Sequence, residues 1–384
     1  MVTEHGRHRR RRQRKAVAVA VAAVLLVVGV VITVALLTAG GPTGRHETAA
    51  EASASRGTGS ATAPPTTRNS ASASRPAKPD ASLATPTLGA SIPLGGTPQF
   101  VAVAPDGGFA YVTDPGAGTL LRVDTRTDAV TATVPVPQGP PQWLAFSRDS
   151  RRAFVSVYDA KFRSGYVVYV DTATNAITRA VTVDPGPYAI SPSPDGRFLY
   201  VPLYMQPQLD VIDIGSAAVV RRIPAAANPH WLAYSKDGRF GYVTDHFTNV
   251  VSVLDVRANK IVKTIPVGAG PHSIEAAPDG SRIAVVNYIS GTATVIDPAT
   301  NTVVATVADV GAQPQDITYS PDGRHFYTAN DKDGTVSVVD TSTDAVVARL
   351  TTGVSPTSVA ATPDGRKAYV TNFDDGTLRV LHTG

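Results

Sequence analysis

Three histidines and two carboxylates carry most of the chemistry open to this 384-residue chain. His230 and His272 each follow a proline, forty-two residues apart, and His246 lies between them. Glu275 stands three residues after His272, and Asp316 follows a further Pro314-Gln315 pair. Imidazoles and carboxylates brought together suit an acid and base couple or a divalent metal ion. No HExxH or comparable local chelating spacing joins them, so only the fold can assemble such a site. The chain has no Cys, which removes thiol nucleophiles, Cys-ligated metals and disulfides. No P-loop, GxGxxG or GxSxG elbow is present, so nucleotide and common hydrolase chemistry have no motif to rest on.

The elements that must position these residues emerge when the chain is compared with itself. A turn signature recurs at Pro105-Asp106-Gly107, Arg148-Asp149-Ser150, Pro194-Asp195-Gly196, Lys236-Asp237-Gly238, Pro278-Asp279-Gly280, Pro321-Asp322-Gly323 and Pro363-Asp364-Gly365, spaced by 42 to 46 residues. Each copy reads as four short strands. In the fourth copy they begin with Trp231-Leu232-Ala233-Tyr234 before the turn, Gly241-Tyr242-Val243-Thr244 after it, and the apolar run from Val250 to Asp255. Seven such copies at this period predict an all-β, seven-bladed propeller over residues 89–384. The last copy stops after its third strand, Thr377–Leu381. Ala90-Ser91-Ile92-Pro93-Leu94-Gly95 matches the fourth strand Thr264-Ile265-Pro266-Val267-Gly268 of another copy. One blade is therefore expected to combine both ends of the array and close the ring without a free edge.

The second strands read Tyr111-Val112-Thr113-Asp114, Tyr242-Val243-Thr244-Asp245 and Tyr369-Val370-Thr371-Asn372. With the Pro-Asp-Gly turns, residues 89–384 resemble the YVTN-type β-propeller repeats of bacterial and archaeal surface proteins. Blades 2 and 3 depart from the pattern, with Phe154-Val155-Ser156-Val157 and Tyr200-Val201-Pro202-Leu203. The resemblance implies a propeller and not a particular activity, since this fold hosts many. Some similar propellers are lactonases or lyases. They imply the alternative reading, a lactonase-like hydrolase or lyase, metal-assisted, with its site at the channel mouth of blades 4 to 6.

In a propeller the candidates acquire places. Each first strand opens with Pro and a variable residue: Gln99, Gln142, Tyr188, His230, His272, Gln315 and Thr357. These should ring one mouth of the channel, with His246 in a nearby loop. Glu275 occupies a register held by Ala102, Ala145, Ser191, Ala233, Thr318 and Ala360 in the other blades, and Asp316 one held by Phe100 and Trp143. The catalytic candidates are therefore His272, Glu275 and Asp316. The ligand-binding candidates are Gln99, Gln142, Tyr188, His230, His246, His272 and Gln315. Hydrated channel lining is the plainer reading of the same residues, and a divalent metal the only cofactor they could hold. Trp143 and Trp231 share a register suited to packing or to stacking on a flat ligand. Asp331-Lys332-Asp333-Gly334 reads as a tight turn, and Tyr158 to Gly165 as an enlarged loop carrying Lys161 and Arg163.

Charge and hydropathy divide the rest of the chain. Residues 1–15 carry seven Lys and Arg against one Glu, and residues 16–39 carry no charge. At 1.5 Å per residue the uncharged run is about 36 Å long, enough to cross a bilayer core as a signal anchor. The basic tail would then stay cytoplasmic and the propeller lie outside the cell, or be secreted if the leader is cleaved. Residues 40–88 are rich in Ala, Ser, Thr and Pro and lack Phe, Tyr and Trp, which predicts a disordered linker. Residues 89–384 hold 23 Lys and Arg against 27 Asp and Glu, so nucleic acid is disfavoured as a partner. The expected role is a monomeric binding or protein-interaction module at the cell surface, rather than an enzyme. Its partner would be a cell-envelope protein or a small-molecule or glycan ligand at the channel mouth.

Overall fold

Burial along the strands already fixes how they are arranged. The second strands Phe109–Asp114 and His325–Asn330 are buried over their whole length. The third strand Thr292–Asp297 is buried through its centre, whereas the outer strand Lys260–Pro266 buries Ile265 alone. Sheets standing radially around an axis give this gradient, because neighbouring sheets cover both faces of the inner strands and leave the outer one in solvent. The computed structural model describes residues 78–384, apart from 160 and 205. It shows seven four-stranded sheets. The expected cytoplasmic tail, signal anchor and residues 40–77 of the linker lie outside the described residues, among which no helix is long and apolar enough to cross a membrane.

Ring closure follows the repeat arithmetic. Thr87–Pro93 pairs antiparallel with Thr377–His382 and completes the sheet of Pro356–Ala361 and Lys367–Asn372. Contacts begin before residue 89. Asp80 N donates to Asp364 O at 2.8 Å, Leu83 N donates to Thr383 O at 2.7 Å, and Ser82 reaches Asp322. The chain thus joins the ring on the face of the Pro-Asp-Gly turns, opposite the channel mouth.

The repeat motif acts between blades. Its Tyr hydroxyl donates to an Asn or Asp in the outer turn of the next blade: Tyr111 to Asn175 at 2.5 Å, Tyr200 to Asn259 at 3.1 Å, Tyr242 to Asn301 at 2.6 Å. Those acceptors sit at positive φ of 51 to 55°, a conformation Asn tolerates better than most residues. The motif Thr works at the other end of the strand. Thr113 Oγ1 donates to Gln142 O at 2.8 Å and Thr244 Oγ1 to His272 O at 2.7 Å. Within each turn the Asp caps the chain it turns. Asp237 Oδ1 accepts from Ser235 Oγ and from Arg239 N, and Gly238 has φ of 71°. The core is accordingly a set of wedges between adjacent sheets. One joins Tyr111 and Leu120 of blade 1 to Val155 and Val168 of blade 2, and another joins blade 7 to blade 1 through Leu378, Val380, Val101 and Val112.

Candidate functional site

The first strand of blade 3 is the shortest, two residues against four to six in the other blades. A single bridge pairs Pro187 with Leu203, and the ladder resumes only at Ser191–Pro192. Tyr188 enters the mouth at the register of His230 and His272, and its ring lies 3.7 Å from that of Trp143 and 4.4 Å from that of His230. Trp143 and Trp231 approach edge to face at 6.1 Å, and Phe100 lies 5.7 Å from Trp231. These residues belong to blades 1, 2 and 4, so both tryptophans pack within the channel rather than on an outer surface.

Above this aromatic layer the three histidines converge. Ring centroids are 5.1 Å apart for His230 and His272, 4.8 Å for His230 and His246, and 5.9 Å for His246 and His272. Their hydrogen bonds identify the tautomers. His272 Nδ1 lies 2.6 Å from Gln315 O, which can only accept, so that nitrogen carries the proton and Nε2 accepts from the Tyr188 hydroxyl at 2.9 Å. His230 Nδ1 likewise donates to Asn228 O at 3.0 Å. His246 bonds the Pro271 carbonyl, while its Nδ1 is buried with no hydrogen-bond partner among the described residues. Burial, reinforced for His230 and His272 by neighbouring imidazoles, lowers all three pKa values, His272 down to about 3. The cluster is neutral at physiological pH, and His246 Nδ1 is a bare acceptor nitrogen.

Four further aromatic residues extend the mouth. Tyr204 lies 5.4 Å from His230, Phe162 5.2 Å from Tyr204, Tyr158 4.9 Å from Phe162, and Tyr288 5.9 Å from His246. The sequence marks the Tyr158–Gly165 loop as a contact point through Lys161 and Arg163, and does not mark these four rings themselves. The signal was present for two of them, since Tyr204 and Tyr288 directly follow their second strands, the register that marked His246. Phe162 lies in the enlarged loop, where the charged Lys161 and Arg163 are exposed and the ring turns inward.

The carboxylates do not join the histidines. Asp316 Oδ1 accepts from Ser273 Oγ at 2.7 Å and Ile317 N at 2.9 Å, and Oδ2 from Ser358 Oγ at 2.7 Å and Val359 N at 3.1 Å. Its four donors tie blades 5, 6 and 7 together, and burial still raises its pKa to about 6. Glu275 Oε2 accepts from Tyr319 N at 3.2 Å, and burial, with the nearby Asp316 charge second, pushes Glu275 up to about 8. The expected grouping of His272 with Glu275 and Asp316 is thus split between the mouth and the channel interior. Among the described residues no group of three His, Asp or Glu side chains converges as a metal ion requires. Gln99, Gln142 and Gln315 are half-buried on the mouth's polar side. Gln142 Nε2 donates to Tyr158 O at 3.3 Å, and the Gln315 carbonyl holds His272.

Comparison with known proteins agrees with this architecture. A model of YNCE-like β-propellers matches residues 242–332, and a model of seven-bladed lactonase β-propellers matches residues 299–384. A chain of Kuenenia stuttgartiensis hydrazine synthase superposes with a TM-score of 0.67 at 24% identity, covering 76% of this chain and 96% of that one. No curated protein matches the sequence. Residues 78–384 therefore form a seven-bladed β-propeller, similar in its later blades to the YNCE-like and lactonase propellers.

Proposed function

We propose that this protein is a binding module whose site is the aromatic and histidine mouth of blades 2 to 5, and that it takes an uncharged ring-bearing ligand, with a sugar unit as the best chemical fit. One observation carries the reading. An unbroken series of ring contacts runs from Phe162 through Tyr204 and His230 to Tyr288, around the buried, unpartnered His246 Nδ1. Aromatic faces pack the apolar face of a sugar, and a bare imidazole nitrogen accepts from one of its hydroxyl groups. The neutrality of the histidines supports an uncharged ligand over an anion. The uncharged run at residues 16–39 behind a basic tail supports anchoring in a membrane, with the propeller outside the cell.

The lactonase likeness over residues 299–384 favours a second reading as a lactone hydrolase. Its general acid and base would have to come from groups that the fold keeps apart, since Glu275 and Asp316 bond to backbone and serine within the channel. Titrating full-length protein with neutral oligosaccharides, read by Trp143 and Trp231 fluorescence, tests the binding reading. Saturable quenching that is lost in Tyr204→Ala and Phe162→Ala supports it. A flat titration together with turnover of simple lactones would replace it with the enzymatic reading.

A further inference from the structure

The turn face, opposite the mouth, carries a second feature. Between blades 3 and 4 lies a cavity of about 820 Å³ bordered by Arg148, Arg197, Arg221, Lys236, Arg239 and Arg257. Three carboxylates also line it, and each is occupied by its own turn. Asp195 accepts from Ser193 Oγ at 2.5 Å, Asp237 from Ser235 Oγ at 2.6 Å, and Asp213 from Ser216 N at 2.9 Å. Of the six cations only Arg197 has a carboxylate partner among the described residues, Asp213 at 3.5 Å. Arg148, Arg221 and Arg257 are exposed and form neither a hydrogen bond nor an ion pair there.

The repeat shows that this concentration is local. The turn that reads Pro-Asp-Gly in five blades replaces its proline with a cation in blades 2 and 4, as Arg148 and Lys236. Both residues border the same cavity, Arg148 without a partner among the described residues and Lys236 with its Nζ donating to Asp279 O at 2.9 Å. Residues 139–266 hold fourteen Lys and Arg against ten Asp and Glu, whereas residues 267–384 hold seven against thirteen. The corresponding groove between blades 7 and 1 is balanced, with Arg126, Arg366 and Lys367 facing Asp106, Asp124 and Asp364. Phe198, Val211 and Val256, buried or half-buried, add apolar lining to the cationic cavity, which strengthens charge pairing there.

We propose that the cleft between blades 3 and 4 is an anion site for a ligand bearing two or more phosphoryl groups. The cations reach it from separate segments of three blades, so they meet an anion from several directions. A tetrahedral phosphoryl group accepts in that way, whereas a planar carboxylate is satisfied by one or two guanidinium forks. The cleft is separate from the neutral mouth, and the two sites answer to different ligand chemistry.

Tripolyphosphate titrated into the full-length protein at about 0.15 M salt, followed by calorimetry, tests the assignment. Saturable one-site binding is expected. Arg257→Ala should weaken it roughly tenfold, and Arg148→Pro with Lys236→Pro, which restores the repeat's own residue, should do so at least as strongly. Arg126→Ala, the same register in blade 1, should leave affinity unchanged, and matched melting curves would show that each variant folds. Absence of saturable binding, or equal loss in Arg126→Ala and Arg257→Ala, overturns the site. Tighter binding of an oligogalacturonate than of tripolyphosphate overturns its phosphoryl character.

Discussion

Tyr369 in the last blade donates its hydroxyl to Asp128 in the first at 2.6 Å, across the junction where the two ends of the repeat array meet. Lys367 Nζ holds the same carboxylate at 2.8 Å. The bond repeats the contact that Tyr111, Tyr200 and Tyr242 make with their neighbours, so the ring closes by the rule that builds it. Tyr327 is the exception. Blade 7 takes its fourth strand from the other end of the domain and has no outer turn to offer an Asn, leaving the Tyr327 hydroxyl buried beside Thr383 without a well-formed hydrogen bond.

A pair of single-atom deletions tests this relationship. Tyr369→Phe leaves Asp128 with one partner fewer at a partly buried site and should destabilise the fold by about 1 to 2 kcal/mol. Tyr327→Phe removes a hydroxyl that gains little from the fold and should be close to neutral. Urea denaturation of both against the parent decides the matter; equal losses would show that the Tyr to Asx contact does not hold the closing blade.

The segment ahead of the first repeat contributes in the same region. Ser82 Oγ donates to Asp322 Oδ1 at 2.8 Å and lies 2.7 Å from His325 Nδ1, while Ser82 N donates to Asp322 Oδ2 at 2.8 Å. One hydroxyl hydrogen cannot serve both neighbours, so His325 Nδ1 donates to Ser82 and Ser82 donates to the carboxylate. Ser82→Ala would strand a buried imidazole N–H, which costs about 1 to 2 kcal/mol. Starting the chain at residue 89 would also remove the Asp80 and Leu83 bonds and the pairings of Thr87 and Leu88. That shorter protein should melt well below one that starts at residue 78, and identical melting temperatures would show that residues 78–88 are dispensable.

The blades, their number and the closing strand were legible because each rests on a periodic signal that recurs seven times. The motif Tyr and Thr were visible too, although their function as ties to the next blade needed the register of neighbouring sheets. The site was legible only in part. His230, His246 and His272 do converge, because their registers are equivalent or adjacent around the ring. Glu275 was misleading for a local reason. Three residues along a strand move a side chain about 10 Å down the channel, so closeness in sequence to His272 meant distance in depth. Tyr188 was legible at the mouth from the repeated Pro-X strand start, whereas its packing on Trp143 needed the structure.

At the mouth, the unpartnered nitrogen separates binding from folding. His246→Phe keeps an aromatic ring, loses the bond to the Pro271 carbonyl, and removes an acceptor that nothing in the described protein uses. Thermal stability should change by no more than about 1 kcal/mol, while affinity for a neutral sugar should fall roughly tenfold. A variant that binds as the parent does would exclude His246 from the ligand contact.

Stability should depend on pH through two opposed sets of buried groups, and should decline from about pH 7 to 8. His230, His246, His272 and His325 all have pKa values lowered in the fold from an ordinary 6.5, chiefly by burial. Below pH 6.5 the unfolded chain binds protons that the folded chain refuses, so stability falls as pH falls toward about 3. Asp316 and Glu275 act with the opposite sign. Their folded values of about 6 and about 8 lie above the ordinary 3.8 and 4.5, so the fold holds protons that the unfolded chain has released, and stability falls as pH rises between those limits. From pH 4.5 to 6.5 the histidines and the carboxyls oppose one another; above about pH 7, where the histidines are largely neutral in both states, Glu275 dominates and stability declines. Glu275→Gln, which has no proton to lose, should abolish the alkaline decline and gain on the order of 1 kcal/mol or more over the parent at pH 8. Melting temperatures of both proteins across this range measure it. A parent profile that is flat from about pH 7 to 8 would mean that Glu275 is already ionised within the channel.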